Sequence, residues 1–202
     1  MSLNIQFRPA TPNDANAVVP LVYSSGPAAF NFVFSRKTGQ ALEFLHFAFL
    51  DGAGEMGYKS HIVGEQDGKI IAAGAAFDGS TGFPFFLAAA SQIIRFYGTA
   101  CLPAMIRGLQ VEQIIEPPKG RLHYIAHLGV DPSMQSKGIG SKLVEHLMEQ
   151  GRREGKTQTA LDVSVLNPRA QVLYERLGFK LTGHRESKLP GVPSHNRLER
   201  AL

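Results

Sequence analysis

Hydrophobic and polar side chains alternate from Leu3 through Asn4, Ile5, Gln6, Phe7 and Arg8, and a period of two predicts a half-buried strand. Thr11-Pro12-Asn13-Asp14 follows, a capping residue and then a proline, which opens a helix that the apolar spacing carries to about Tyr23. Phe30 to Leu50 is dense in rings (Phe30, Phe32, Phe34, Phe44, Phe47 and Phe49), and its second half repeats at helical spacing. The apolar runs 60–65 and 70–77 flank Gln66-Asp67-Gly68-Lys69. Asp-Gly between such runs predicts a hairpin, here the second and third strands. Residues 78 to 120 then form a long connection with helical spacing over Phe85 to Tyr97 and Leu102 to Ile115, closed by Glu116-Pro117-Pro118-Lys119-Gly120. Leu122 to Val130 is expected as the fourth strand, Gly138 to Arg153 as a loop with its helix, and Thr159 to Leu166 as the fifth strand. Pro168 to Leu177 reads as a further helix, Phe179 to Thr182 opens a sixth strand, and Asn196 to Leu202 gives a short final one. Strands alternating with helices place the chain in the α/β class.

Composition narrows this picture. A hydrophobic share of 44% beside a charged share of 19% belongs to a soluble globular chain, so disorder is not expected. The length of 202 residues favours one domain over residues 1–202, with the segment at about 78–120 as an insertion. Cys101 stands alone and can form no internal disulfide, which makes a reduced, cytoplasmic setting the expectation. The N-terminus lacks the basic and apolar regions of a secretory signal. The most hydrophobic window, Phe83 to Ile94, ends at Arg95, short of the roughly twenty residues a membrane span needs. A formal net charge of +4 is spread without a basic run or interleaved aromatic platform, so neither nucleic acid nor membrane is expected as a partner. The seven histidines lack cysteine-rich clustering, and no metal site is expected.

The chemistry concentrates after the fourth strand. Leu128-Gly129-Val130-Asp131-Pro132 runs into Ser133-Met134-Gln135-Ser136-Lys137-Gly138-Ile139-Gly140-Ser141 and then into a helix. A helix start with unpaired N–H groups behind a glycine loop is an anion site, because amides and the positive dipole end point the same way. The spelling excludes two familiar phosphate loops. In a Walker loop lysine follows the last glycine, whereas Lys137 precedes Gly138; a dinucleotide fingerprint needs a third glycine where Leu143 stands.

What remains, Gln-x-x-Gly-x-Gly after Leu-Gly-Val-Asp-Pro, resembles the acetyl-CoA pyrophosphate loop of the GNAT superfamily of N-acetyltransferases. A second block strengthens the resemblance: Asn167-Pro168-Arg169-Ala170-Gln171-Val172-Leu173-Tyr174-Glu175-Arg176-Leu177-Gly178-Phe179 matches the pattern Asn-x-x-Ala-x-x-Leu-Tyr-x-x-x-Gly-Phe that follows the fifth strand in that superfamily. Physically it is a helix with Asn167 as cap, Pro168 at its first position and a stop at Gly178. The resemblance covers residues 121 to 182 closely and the first eighty loosely.

The resemblance implies the GNAT fold, a mixed central sheet with splayed fourth and fifth strands and helices on both faces, here with a helical insertion between the third and fourth strands. It implies acetyl-CoA as acyl donor and a primary amine as acceptor, on a small molecule or on a protein or peptide. The backbone of Leu128, Gly129 and Val130 would pair with the pantetheine arm, Gly129 leaving room beside the thioester, and a strand-four N–H, that of Leu128, would stabilise the oxyanion. Gln135, Ser136, Lys137, Gly138, Ile139, Gly140 and Ser141 would cradle the pyrophosphate, and Asn167 would hold the pantetheine region. Tyr174 would protonate the departing thiolate, since a phenol of pKa near 10 keeps its proton at neutral pH. An alkyl amine is neutral in only about one molecule per thousand at pH 7, so a base is also needed. Strand four offers His123, Tyr124 and His127 with no carboxylate before Asp131. Alternation puts Tyr124 on the face opposite both histidines unless a bulge shifts the register. His127, Tyr124 acting through water, Glu43 and Glu65 all stand as candidates for the base. Residues 78–120 are expected to form a lid, an acceptor wall or a homodimer contact. The aromatic segment 30–50 fits either core or an acceptor wall. A regulatory module that binds acetyl-CoA without turnover is the alternative from another class, kept open by the missing strand-four carboxylate.

Overall fold

The computed structural model describes residues 4–37 and 39–202; Leu3, where the alternation begins, lies outside them. The period-two runs become strands β1 (Gln6–Pro9), β2 (His61–Gln66), β3 (Lys69–Phe77), β4 (His123–Val130), β5 (Gln158–Ser164), β6 (Lys180–Arg185) and β7 (His195–Ala201). They form one mixed sheet in the order β1-β2-β3-β4-β5-β7-β6. The β4–β5 pair is parallel and its neighbours are antiparallel. The last strand therefore lies between β5 and β6, an order the linear pattern does not contain.

Helices α1 (Ala15–Ser25), α2 (Pro27–Phe34) and α3 (Gln40–Asp51) gather on one face of the sheet. There Val18, Val22, Phe44, Leu45 and Phe49 form a core with Val63 and Ala73. The other face carries α6 (Ile139–Arg153) and α7 (Pro168–Arg176), whose Leu143, Leu147 and Tyr174 pack on Ile71, Ile125 and Leu161. Most rings of segment 30–50 are thus core, with Phe34 stacked on Phe44 at 4.1 Å between centroids.

The insertion folds as α4 (Gly82–Tyr97) and α5 (Leu102–Val111). The second helix ends four residues before Ile115, where a turn begins with the Ile114 and Ile115 amides both donating to the Val111 carbonyl. Ile93, Ala104 and the ring of Phe96 join the α1–α3 core. The start of the insertion is tied to the far side by an ion pair between Asp78 and Lys156, both nearly buried. Among the described residues no single helix is long and apolar enough to cross a membrane; α1 and α2 satisfy length and composition only as a pair bent by 101°.

Candidate active site

Strand β4 keeps β3 beside it along almost its whole length but β5 only at its start. Its pairing with β5 is confined to His123 opposite Thr159 and Tyr124 opposite Ala160, after which the two strands part. From Ile125 onward the β5-facing edge of β4 is left open among the described residues, and the gap widens into a cleft of about 1100 Å³. Leu128, Gly129, Val130, Ser164 and Asn167 line it, together with Gln135, Ser136, Gly138, Ile139, Gly140 and Ser141 from the loop that follows β4.

That loop owes its shape to backbone geometry. Ser136 and Gly138 both have positive φ, 63° and 78°, and alternating left- and right-handed residues turn successive amides toward a common point. The start of α6 adds unpaired N–H groups and its dipole. An ideal Cβ at Gly138 would meet nothing within 4 Å, so glycine is needed there for conformation. Gly140 packs against Leu173, 3.3 Å from its would-be Cβ. Lys137 reaches back to the Ser133 carbonyl at 3.3 Å. Arg169, an unspecified position of the second motif, crosses from α7 and donates to Ser136 Oγ and Gln135 Oε1, a contact between segments more than thirty residues apart that no local pattern signals.

Asn167 caps α7, its side chain accepting from the Ala170 amide at 3.1 Å. Two helical turns on, Tyr174 is buried against Phe179 and lines the cleft. Burial alone pushes its phenol up to about 12.

The bulge in β4 decides which side chains meet the cleft. Ala73 of β3 faces Gly129 while Ala75 faces Ala126, two steps against three, and His127 absorbs the extra residue with φ 56°. His123 remains on the α6 face, its Nε2 2.9 Å from the Leu147 carbonyl oxygen, with burial lowering its pKa. Without the bulge His127 would lie beside it. Instead His127 crosses to the α1–α3 face, on Tyr124's side, and lines the cleft near the Phe30 ring at 5.9 Å.

Two partners hold the His127 ring. Its Nδ1 lies 3.2 Å from Nε2 of His61, and its Nε2 lies 3.2 Å from Glu55 Oε1. Glu112, after α5, also lines the cleft, and burial together with the Glu55 charge raises its pKa. Tyr124 donates its hydroxyl to Asp162 at 2.8 Å, and Arg197 pairs with the same oxygen at 3.1 Å. Burial and the Asp162 charge raise the Tyr124 phenol well above its ordinary value; burial also raises Asp162, against the opposing pull of Arg197. Glu43 and Glu65 lie elsewhere, paired with Lys37 and Arg8, and line no part of the cleft. Glu55 stands in a glycine-rich loop and His61 opens an ordinary strand, so neither carries a local signature.

Gly129 has a different neighbour from the one the motif suggests. A Cβ there would stand 2.2 Å from the Leu21 carbonyl oxygen, because the backbone of α1 lies directly on β4. Its small size is required by helix packing. Among the described residues no group of three or more His, Cys, Asp or Glu side chains is placed to hold a metal ion.

A model of the acetyltransferase (GNAT) family matches residues 28–179 of the chain. The [ribosomal protein bS18]-alanine N-acetyltransferase of Salmonella typhimurium is 35% identical over 69 residues, 34% of this chain and 47% of that one. Human N-acetyltransferase 8B is 39% identical over 57 residues, 28% of this chain and 25% of that one. The aligned stretches thus span about half or less of these curated relatives. An N-acetyltransferase from Staphylococcus aureus Mu50 has the same fold with a TM-score of 0.74 at 19% identity, covering 96% of this chain and 100% of that one. A polyamine N acetyltransferase of Drosophila melanogaster aligns with a TM-score of 0.59 at 17% identity over 98% and 100% of the two chains.

Proposed function

Because this chain belongs to the GNAT acetyltransferase family, we propose that it moves an acetyl group from acetyl-CoA to a primary amine by direct attack of the amine on the thioester. The observation that carries the reading is the junction of two features: the parting of β4 from β5 and the positive-φ loop opening α6, which line one cleft. A diphosphate fits the loop, since its amides converge without a side chain at Gly138. The open edge of β4 at Leu128 to Val130 suits the amide groups of a pantetheine arm, which pair as a strand would.

Acetyl-CoA, when bound, supplies an activated carbonyl and a thiolate leaving group. The chain's own residues hold it, move protons and shield the site. The Leu128 N–H is the oxyanion donor in this reading. Tyr174, whose phenol stays protonated through neutral pH, donates to the thiolate. His127 takes the acceptor's proton; Tyr124 braces the floor through Asp162 and Arg197. Asn167 serves as a cap and borders the pantetheine channel. Phe30, Phe77 and Phe85 give the acceptor side apolar walls, and Glu55 gives it a negative charge, which suits an amine borne on an apolar body. The bacterial relative named for a ribosomal alanine and the polyamine enzyme bracket the acceptor between a protein terminus and a small molecule. A cytosolic setting belongs to the same reading and rests on the lone Cys101.

The alternative, a module that binds acetyl-CoA without turnover, drew its support from the absence of a carboxylate on β4. Glu55 supplies one from a loop, beside His127. Calorimetric titration with acetyl-CoA and thiol release against an amine panel test the reading. Binding is expected, with turnover on at least one amine, and His127→Gln is expected to retain binding while turnover falls by about 10²- to 10⁴-fold. Binding with no turnover on any amine would establish the module; no binding would sink both.

A further inference from the structure

His61 is 1% exposed and lines no part of the cleft, yet it touches the side chain placed to act there. Its Nδ1 lies 2.9 Å from the Gly57 carbonyl oxygen. A carbonyl only accepts, so Nδ1 carries the hydrogen. Burial, aided by the adjacent His127, pushes the His61 pKa down to about 3, and a neutral imidazole with its hydrogen on Nδ1 has only a lone pair at Nε2. That lone pair lies 3.2 Å from His127 Nδ1, which must therefore be the donor. The remaining nitrogen of His127, Nε2, is therefore the one that gains and loses the proton: 3.2 Å from Glu55 Oε1, it donates to that carboxylate when the ring is an imidazolium and offers a lone pair to the cleft when the ring is neutral.

We infer that His61 is a positioning residue that fixes the tautomer of His127 through the Gly57 carbonyl, and that Glu55 holds the proton His127 acquires. The inference rests on the reading that His127 accepts the acceptor's proton. An ammonium in the cleft beside neutral His127 and Glu55 donates to Nε2 and to the carboxylate. Passing one proton to Nε2 frees the nitrogen lone pair for attack on the thioester carbon, and collapse of the adduct expels the thiolate, which takes the Tyr174 proton. The second proton lost by the nitrogen restores the phenol. The imidazolium of His127 has both N–H groups satisfied meanwhile, Nδ1–H by His61 and Nε2–H by Glu55. His61 need not ionise, because its own N–H already donates to Gly57. The Phe30 ring from α2 also meets the His127 ring, and Tyr124 and Glu112 are further titratable groups lining the same cleft. None of these competes for Nδ1.

The full chain, labelled with ¹⁵N-histidine, tests this. In the unaltered protein His127 is expected as the Nδ1–H tautomer when neutral. His61→Phe fills the same space without an acceptor, so the tautomer preference should vanish and kcat/KM fall by about 10- to 100-fold while acetyl-CoA affinity is kept. The acid limb of its pH profile should move to lower pH, since the imidazolium loses a partner. His61→Gln, which restores an acceptor, should recover much of the loss. Glu55→Gln, at the cleft edge, should move the same limb in the same direction, and it decides the matter if His61→Phe fails to fold. An Nε2–H tautomer in the unaltered protein, or folded variants with an unmoved tautomer and pH profile, overturns the inference. Full turnover by His127→Gln would instead overturn the underlying reading and leave the tautomer result standing.

Discussion

Tyr174 shows how far one atom can be separated from the packing that holds it. Its ring belongs to the core under α7, against Phe179 at 6.2 Å between centroids, while its hydroxyl carries the proposed chemistry. Tyr174→Phe removes only that oxygen. We expect the variant to melt within a few degrees of the parent and to bind acetyl-CoA normally, with kcat lower by about 10²- to 10³-fold. Steady-state kinetics and a thermal melt check this, and an unchanged kcat excludes the phenol as the acid. Tyr174 was legible because a cap, a proline and an apolar stripe fix its place on a short helix. Glu55 and His61 were not, because their roles depend on a partner on another strand, and the glycines around Glu55 mark a turn without saying what it faces.

At the scale of elements, the glycines of the site separate into two physical kinds. Gly129 yields to the backbone of α1, since a Cβ would stand 2.2 Å from the Leu21 oxygen and 2.6 Å from its carbon. Neither atom can rotate away. Gly129→Ala should therefore destabilise the fold by about 1–3 kcal/mol, read as a lower urea midpoint. Gly138 has open space around it and φ 78°, so Gly138→Ala strains the loop by roughly 1 kcal/mol and should act mainly on acetyl-CoA affinity. Urea unfolding and calorimetric titration of the two variants distinguish the effects; equal loss of affinity in both, with equal stability, would contradict this division. The insertion also divides its work. Phe96 and Ala104 anchor it in the α1–α3 core, whereas Phe85 and Phe86 face the cleft.

For the molecule as a whole, acid should be the weak side. Asp14 beside Arg8 and Asp78 beside Lys156 are each held down to about 2 by those cations and by local hydrogen bonds. Both pairs tie elements together: Arg8, six residues before Asp14, also meets Glu65 and so links the start of α1 to β1 and β2, and Lys156 ties the insertion to the approach to β5. A carboxylate with a depressed folded pKa stabilises fully above its unfolded value of about 4, and that contribution is lost as pH falls through the folded value. Scanning calorimetry should find little change attributable to these groups from neutrality to about pH 4, then a fall in Tm toward pH 2. Asp78→Asn should be less stable at pH 7 and show a shallower fall. A Tm independent of pH down to 2 would contradict the assignment.

The chain by itself determined the features that are written in neighbouring residues. The strand, loop and helix from 128 to 148 and the capped helix from 167 to 178 follow from turn chemistry, caps and periodicity, and they carry the family with them. Tertiary structure alone decided that β7 enters between β5 and β6, that a bulge sends His127 to the opposite face from His123, and that Glu55 and His61 close on its two nitrogens. The reason is physical. A cap or a loop is settled by forces acting within a few residues, whereas strand order, register and the partners of a buried ring are settled by pairings between segments far apart along the chain, which local pattern does not encode.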